Sequence, residues 1–176
     1  LFSGDFAAES DGAKPLGATQ YFNRLAQRVT AGLSVATAAG ALYEVDTRLR
    51  PSGAQGPLVV SLDSFARYQR EEAWTWEHMA LTRARVLFGS AKARSETDAI
   101  IDAVLNQPRE PQDIVNAAAK MRADIAAHKP PKGPLDVKLC DGGLVDLEFT
   151  VQVMQLVHRK GLVPNLGDAV DTLVGA

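Results

Sequence analysis

The chain has 176 residues, 46% of them apolar and 23% charged, which suits one domain or two small ones built on a packed core. Its formal net charge of -2 excludes a protein held to nucleic acid by charge, because neutralising phosphates takes a basic surplus. A single cysteine, Cys140, excludes an internal disulfide and fits a reducing, cytoplasmic setting; no apolar run reaches the roughly 18 residues of a membrane span, and no signal peptide is visible.

Residues 5–17 are rich in Gly, Ser, Asp and Ala and read as a loop. From Ala18, the apolar Phe22, Leu25, Val29 and Leu33 recur at spacings of three and four, which predicts a helix that stops by Gly40. Residues 41–50 alternate and predict a strand. Pro51-Ser52-Gly53 turns the chain, and 57–60 suggest a second short strand. Ser61 is placed as an N-cap, with a helix following to about Arg70 and Leu62, Phe65 and Ala66 turned inward. Residues 71–88 read as one longer helix. Gly89-Ser90 stops it and starts another, carrying Ile100, Ile101, Val104 and Leu105 and ended by Pro108. An Ala-rich helix is expected over 113–128. The Lys-Pro-Pro-Lys-Gly-Pro stretch at 129–134 forbids helix and is a connector. Residues 135–139 read as extended, Gly142-Gly143 as a turn, 144–158 as a buried helix, and 169–176 as a helix cut short. With Leu1 rather than Met at the start, both ends predict a piece of a longer chain.

The densest chemistry lies in 43–53. Val45, Thr47 and Leu49 alternate with Glu44, Asp46, Arg48 and Arg50. On a strand, this stacks two carboxylates beside two guanidiniums. Carboxylate oxygens suit a divalent cation, and arginines suit phosphate oxygens, which together serve nucleotidyl or phosphoryl transfer. The same row also suits plain cross-strand ion pairing. Trp74 and Trp76, the only tryptophans, suit a wedge between packed elements; Glu77 and His78 beside them face either core or cleft. His78 lacks the second histidine of a helical zinc site. Arg83 and Arg85 suit either a helix C-terminus or a triphosphate. In 136–149 (Asp136-Val-Lys138-Leu-Cys-Asp141-Gly-Gly-Leu-Val-Asp146-Leu-Glu148-Phe149), Asp146 and Glu148 suit a helix start and the glycines a close backbone approach. The spacing is neither a Rossmann nor a P-loop pattern. Cys140 has no activating base nearby in sequence.

Leu42-Tyr-Glu-Val-Asp-Thr-Arg-Leu-Arg-Pro-Ser-Gly53 and Glu72-Ala-Trp-Thr-Trp-Glu-His-Met-Ala-Leu-Thr-Arg-Ala-Arg85 closely resemble bacterial glutamine synthetase adenylyltransferase. The 136–149 segment and Tyr21-Phe-x-Arg24-Leu-x-Gln27-Arg28 resemble it too, the former also resembling PII uridylyltransferase. The wording of both longer motifs is most like the C-terminal, adenylylating half; the deadenylylating half, or a non-catalytic module binding PII or glutamine synthetase, is the alternative. The resemblance implies an α+β, mostly helical fold. Residues 1–88 would be the C-terminal part of a polymerase-β-like nucleotidyltransferase domain, and 89–176 a helical domain. It implies ATP and Mg²⁺, with a glutamine synthetase tyrosine attacking the α-phosphate and pyrophosphate leaving. Asp46 matches the third metal carboxylate and is the implied catalytic residue, with Glu44 beside it as a metal ligand. Arg48, Arg50 and Lys138 are the implied phosphate-holding residues. The Gly-Ser-x-x-Asp motif that supplies the other two carboxylates is not found in these residues, so the chain alone is expected to be inactive. Glutamine synthetase and a PII-type signal protein are the implied partners, without nucleic acid or membrane.

Overall fold

In a computed structural model, residues 1–4 and 6–175 are described. Asp5, at the start of the predicted loop, and Ala176, at the end of the predicted closing helix, lie outside the described residues. The fold is mostly helical: α1 (Ala18–Ser34), α2 (Leu62–Glu71), α3 (Thr75–Leu81), α4 (Ala91–Leu105), α5 (Pro111–His128), α6 (Leu144–His158) and α7 (Leu166–Val174). Among the described residues, the sheet content is one antiparallel pair, β1 (Ala36–Thr37) and β2 (Gly40–Ala41), with Ala36 opposite Ala41 and Thr37 opposite Gly40. The chain divides into two compact units, Leu1–Glu72 and Ala73–Ala176. By packing, α3 groups with the helices that follow it.

In the first unit, α1 starts where its apolar spacing begins, but its stripe is only half used. Phe22 stacks on Phe2 at 4.8 Å between ring centroids, while Leu25 and Val29 stay exposed. The predicted second strand at 57–60 does not form as a ladder. Its backbone groups find other partners: Val59 N–H donates to Asn23 Oδ1 at 3.2 Å, and the Phe2 N–H donates to Val60 O at 3.1 Å. Only an isolated parallel bridge, Phe2 with Ser61, remains. Ser61 caps α2 as expected, its hydroxyl accepting from Ser64 N–H at 3.0 Å. Leu62 and Phe65 are buried beneath it.

In the second unit, α6 is the axis. It packs against α3, α5 and α7, and α3 also meets α4 and α5. Met79, Leu105, Ile114, Ala118 and Leu156 form the core. Large buried apolar side chains contribute about 1.5–3 kcal/mol each. The long helix expected over 71–88 is broken. Glu72 and Ala73 are not helical, and α3 begins afresh after Trp74, whose N–H is taken by the Glu77 carboxylate at 2.9 Å. It ends after Leu81, where the buried Thr82 hydroxyl donates to Met79 O at 2.7 Å, a local bond that competes with the next helical turn. Residues 135–139 are turns rather than extended chain. The Asp136 carboxylate gathers the N–H groups of Lys132, Lys138 and Leu139 at 3.1–3.2 Å, which folds the segment on itself.

Candidate functional site

The acidic and basic residues of 43–53 do not sit on a strand. Among the described residues no strand pairs with 42–50, and without a ladder the period-two pattern has nothing to hold it extended. The segment is instead tied locally. Asp46 Oδ1 accepts the Arg48 backbone N–H at 2.9 Å, and its carboxylate takes Arg48 Nε and Nη2 in a two-pronged pair at 2.5–3.0 Å. Both side chains face solvent, at 75% exposure for Arg48 and 55% for Asp46, so the pair adds little stability. Its hydrogen bond to Asp46 raises the Arg48 pKa above the ordinary arginine value, with Glu44 adding a smaller attraction. Glu44 is exposed.

Arg50 turns the other way. Its Nη1 donates to Thr47 O at 2.6 Å and its Nη2 to Gly56 O at 3.3 Å, so it clamps the turn that carries the Pro-Ser-Gly motif. Arg50 Nε is buried without a partner. The turn itself requires Gly56: a Cβ there would lie 2.1 Å from Pro51 O. The structure thus brings Asp46 and Arg48 into contact and commits Arg50 to backbone carbonyls. Lys138 belongs to the second unit, exposed on the loop before α6. Among the described residues, no three His, Cys, Asp or Glu side chains gather as a metal site.

Three polar links in the second unit escaped the sequence reading. Arg122 of α5 pairs with Asp146 of α6 through Nε–Oδ1, and Asp146 Oδ2 also accepts Gly142 N–H at 2.7 Å. Arg109 donates to Val104 O at 2.6 Å and Leu105 O at 3.3 Å, closing the end of α4. Its Nη2 lies 3.2 Å from Nδ1 of the buried His78. A guanidinium only donates, so Nδ1 accepts and the imidazole proton sits on Nε2. Burial lowers the Arg109 pKa below the ordinary arginine value. Arg83, which lies beyond α3 rather than in it, reaches Glu148 at 2.9 Å. The sequence marks Asp146 only as a helix-start acid; nothing local points to Arg122 as its partner, or to Arg109 as the partner of His78, since these links span 24 and 31 residues.

The Arg122 hydrogen bond, and then the Gly142 N–H, hold the Asp146 carboxyl below the usual carboxylate range. Lys132 and Leu139 N–H groups do the same for Asp136. A depressed folded pKa stabilises fully above the unfolded value of about 4, and that contribution is lost as pH falls through the folded value. Asp146→Asn is therefore expected to lower the urea midpoint at pH 7 and to flatten its decline below about pH 4. An acid limb identical to the parent's would show that Asp146 is not the linked group.

The glutamate-ammonia ligase adenylyltransferase family model matches residues 2–100, and the GlnD PII-uridylyltransferase model matches residues 116–175. Three curated relatives are each described as a bifunctional glutamine synthetase adenylyltransferase/adenylyl-removing enzyme. That of Mesorhizobium japonicum is 46% identical over 95% of this chain and 17% of its own length. That of Agrobacterium fabrum is 50% identical over 90% of this chain and 16% of its own. The Rhizobium meliloti enzyme is 50% identical over 87% and 16%. The chain thus spans about a sixth of the length of these relatives. Among the described residues, no helix is long and apolar enough to cross a membrane. The adenylyltransferase model takes in more than half of the chain, including the Asp46–Arg48 pair, the Arg50 clamp and the tryptophan helix, and the chain belongs to the glutamate-ammonia ligase adenylyltransferase family.

Proposed function

We propose that this chain forms part of the adenylylating half of a bifunctional, cytoplasmic enzyme that moves AMP from ATP to a tyrosine hydroxyl of glutamine synthetase, releasing pyrophosphate. Residues to about 88 belong to its nucleotidyltransferase domain and those after it to a helical domain, with a PII-type signal protein as regulator. The observation that carries this reading is the Asp46–Arg48 pair. A carboxylate and a guanidinium stand paired on an exposed segment, where solvent and substrate can reach them. Asp46 orients the attacking hydroxyl and takes its proton. Arg48 and the exposed Lys138 hold phosphate oxygens. Arg50, engaged with Thr47 and Gly56 carbonyls, contributes by setting the turn that presents them.

The family implies Mg²⁺. Glu44 and Asp46 do not fit two such ions by themselves, because each ion demands a near-octahedral oxygen shell and no third carboxylate joins them among the described residues. The 176-residue chain, incubated with ATP labelled at the α-phosphate, Mg²⁺ and glutamine synthetase, is therefore expected to transfer no label. The gene product that contains this chain is expected to label a tyrosine of glutamine synthetase, and to need a higher ATP concentration once Arg48 is replaced by Ala. Label transfer by the 176 residues alone, abolished by Asp46→Ala, would overturn the account of the missing oxygen ligands. Absence of labelling by the whole gene product would overturn the function.

A further inference from the structure

The turn that follows the Asp46–Arg48 pair holds one serine in a conformation that serine has no reason of its own to adopt. Ser52 has φ 59° and ψ 17°, in the left-handed region. Crowding of Cβ makes that region costly for residues other than glycine, and among those it favours Asn and Asp. Among the described residues, Arg159 is the other non-glycine with positive φ, and it ends α6 in the ordinary manner of a helix C-terminus. No helix ends at Ser52. It stands before a short 3-10 turn, Gly53–Gln55, where a serine hydroxyl commonly accepts an N–H, yet its side chain caps nothing. Neither backbone preference nor capping accounts for a serine here.

The surrounding turn does not let Ser52 relax. The Gly53 N–H donates to Arg50 O at 2.8 Å, and the Gln55 and Gly56 N–H groups donate to Ser52 O at 3.1 and 3.3 Å. Arg50 fastens the rim through Thr47 O and Gly56 O. The turn also folds back on Arg48. The Arg50 N–H donates to Arg48 O at 3.0 Å, and a Cβ on Gly53 would lie 3.9 Å from that same oxygen. Ser52 is exposed. Among the described residues, neither its hydroxyl nor its own N–H has an acceptor. Two donors on one residue are thus held at the surface of the turn that carries Arg48.

We propose that Ser52 is a substrate-binding residue whose hydroxyl donates to a phosphate oxygen of the nucleotide, beside the oxygens that Arg48 holds. The inference rests on the adenylyl-transfer reading proposed above and adds a residue to its site. Strained backbone that its surroundings enforce is concentrated at ligand clamps. A hydrogen bond to an anionic oxygen is stronger than one between neutral groups, and a donor fixed in advance loses little freedom on binding. Glycine would suit this backbone better and supply no hydroxyl, so the serine is retained for its oxygen.

The test is steady-state adenylyl transfer by the gene product that contains this chain, with ATP varied at saturating glutamine synthetase, alongside its melting temperature. Ser52→Gly removes the hydroxyl and accepts the positive φ. It is expected to raise KM for ATP about tenfold, with a smaller change in kcat, at a melting temperature no lower than the parent's. Ser52→Asn also tolerates the left-handed region and carries N–H donors, and it is expected to recover most of the lost affinity. A parent-like KM in Ser52→Gly, with transfer intact, would overturn this inference alone. So would a raised KM that comes with a lower melting temperature, or one that Ser52→Asn fails to recover. No transfer by the parent gene product would overturn the functional reading and this inference with it.

Discussion

Leu156→Ala is expected to cost the second unit about 2–5 kcal/mol, a large share of the roughly 5–15 kcal/mol that holds a typical domain folded. Leu156 is 1% exposed and sits in the core with Met79, Leu105, Ile114 and Ala118. It lies on α6, the helix that α3, α5 and α7 all pack against, so a cavity there is shared among several elements and none can close it alone. Leu144→Ala, on the exposed first turn of the same helix, serves as the control and is expected to change little. Urea unfolding followed by far-ultraviolet circular dichroism reads both. Equal midpoints for the two variants would mean that α6 is not the axis of this unit.

Asp46→Ala in the gene product that contains this chain is expected to lower adenylyl transfer by about 10²–10⁴-fold, the range for a positioned acid–base group. The same change is expected to leave folding almost untouched, because the Asp46–Arg48 pair is exposed and its loss strands no buried charge. A fall in rate at an unchanged melting temperature separates a chemical role from a structural one. Arg50→Ala offers the contrast. It removes the clamp on Thr47 and Gly56, so its loss of activity is expected to come with local loosening of 47–56 by hydrogen exchange.

The helices were readable from sequence where spacing and caps agree. Ser61 and Ser90 each cap the helix that follows, and α6 begins after the glycine pair and ends at His158 as its apolar run predicts. The strand over 41–50 was misread because alternation records which faces a segment offers, not whether a neighbour pairs with it. The sequence separates two helices near residues 70 and 71, and the structure moves the start of the second to Thr75, because Glu77 reaches back to the Trp74 N–H and begins α3 there. At the candidate site, the contact of Asp46 with Arg48 follows from residues two apart. The inward turn of Arg50 does not, because backbone carbonyls leave no mark in a sequence. The Arg122–Asp146 and Arg109–His78 links were invisible for a plainer reason: helix packing makes them, across long stretches of chain.

The central claim is that Asp46 serves the addition of AMP rather than its removal, and one paired assay tests it most directly. The whole gene product and its Asp46→Ala variant are compared for AMP incorporation into unmodified glutamine synthetase and for AMP release from the modified form. The account predicts that the variant loses incorporation by at least about a hundredfold and keeps release near the parent rate. Incorporation near the parent rate, or loss of release with incorporation retained, would contradict it.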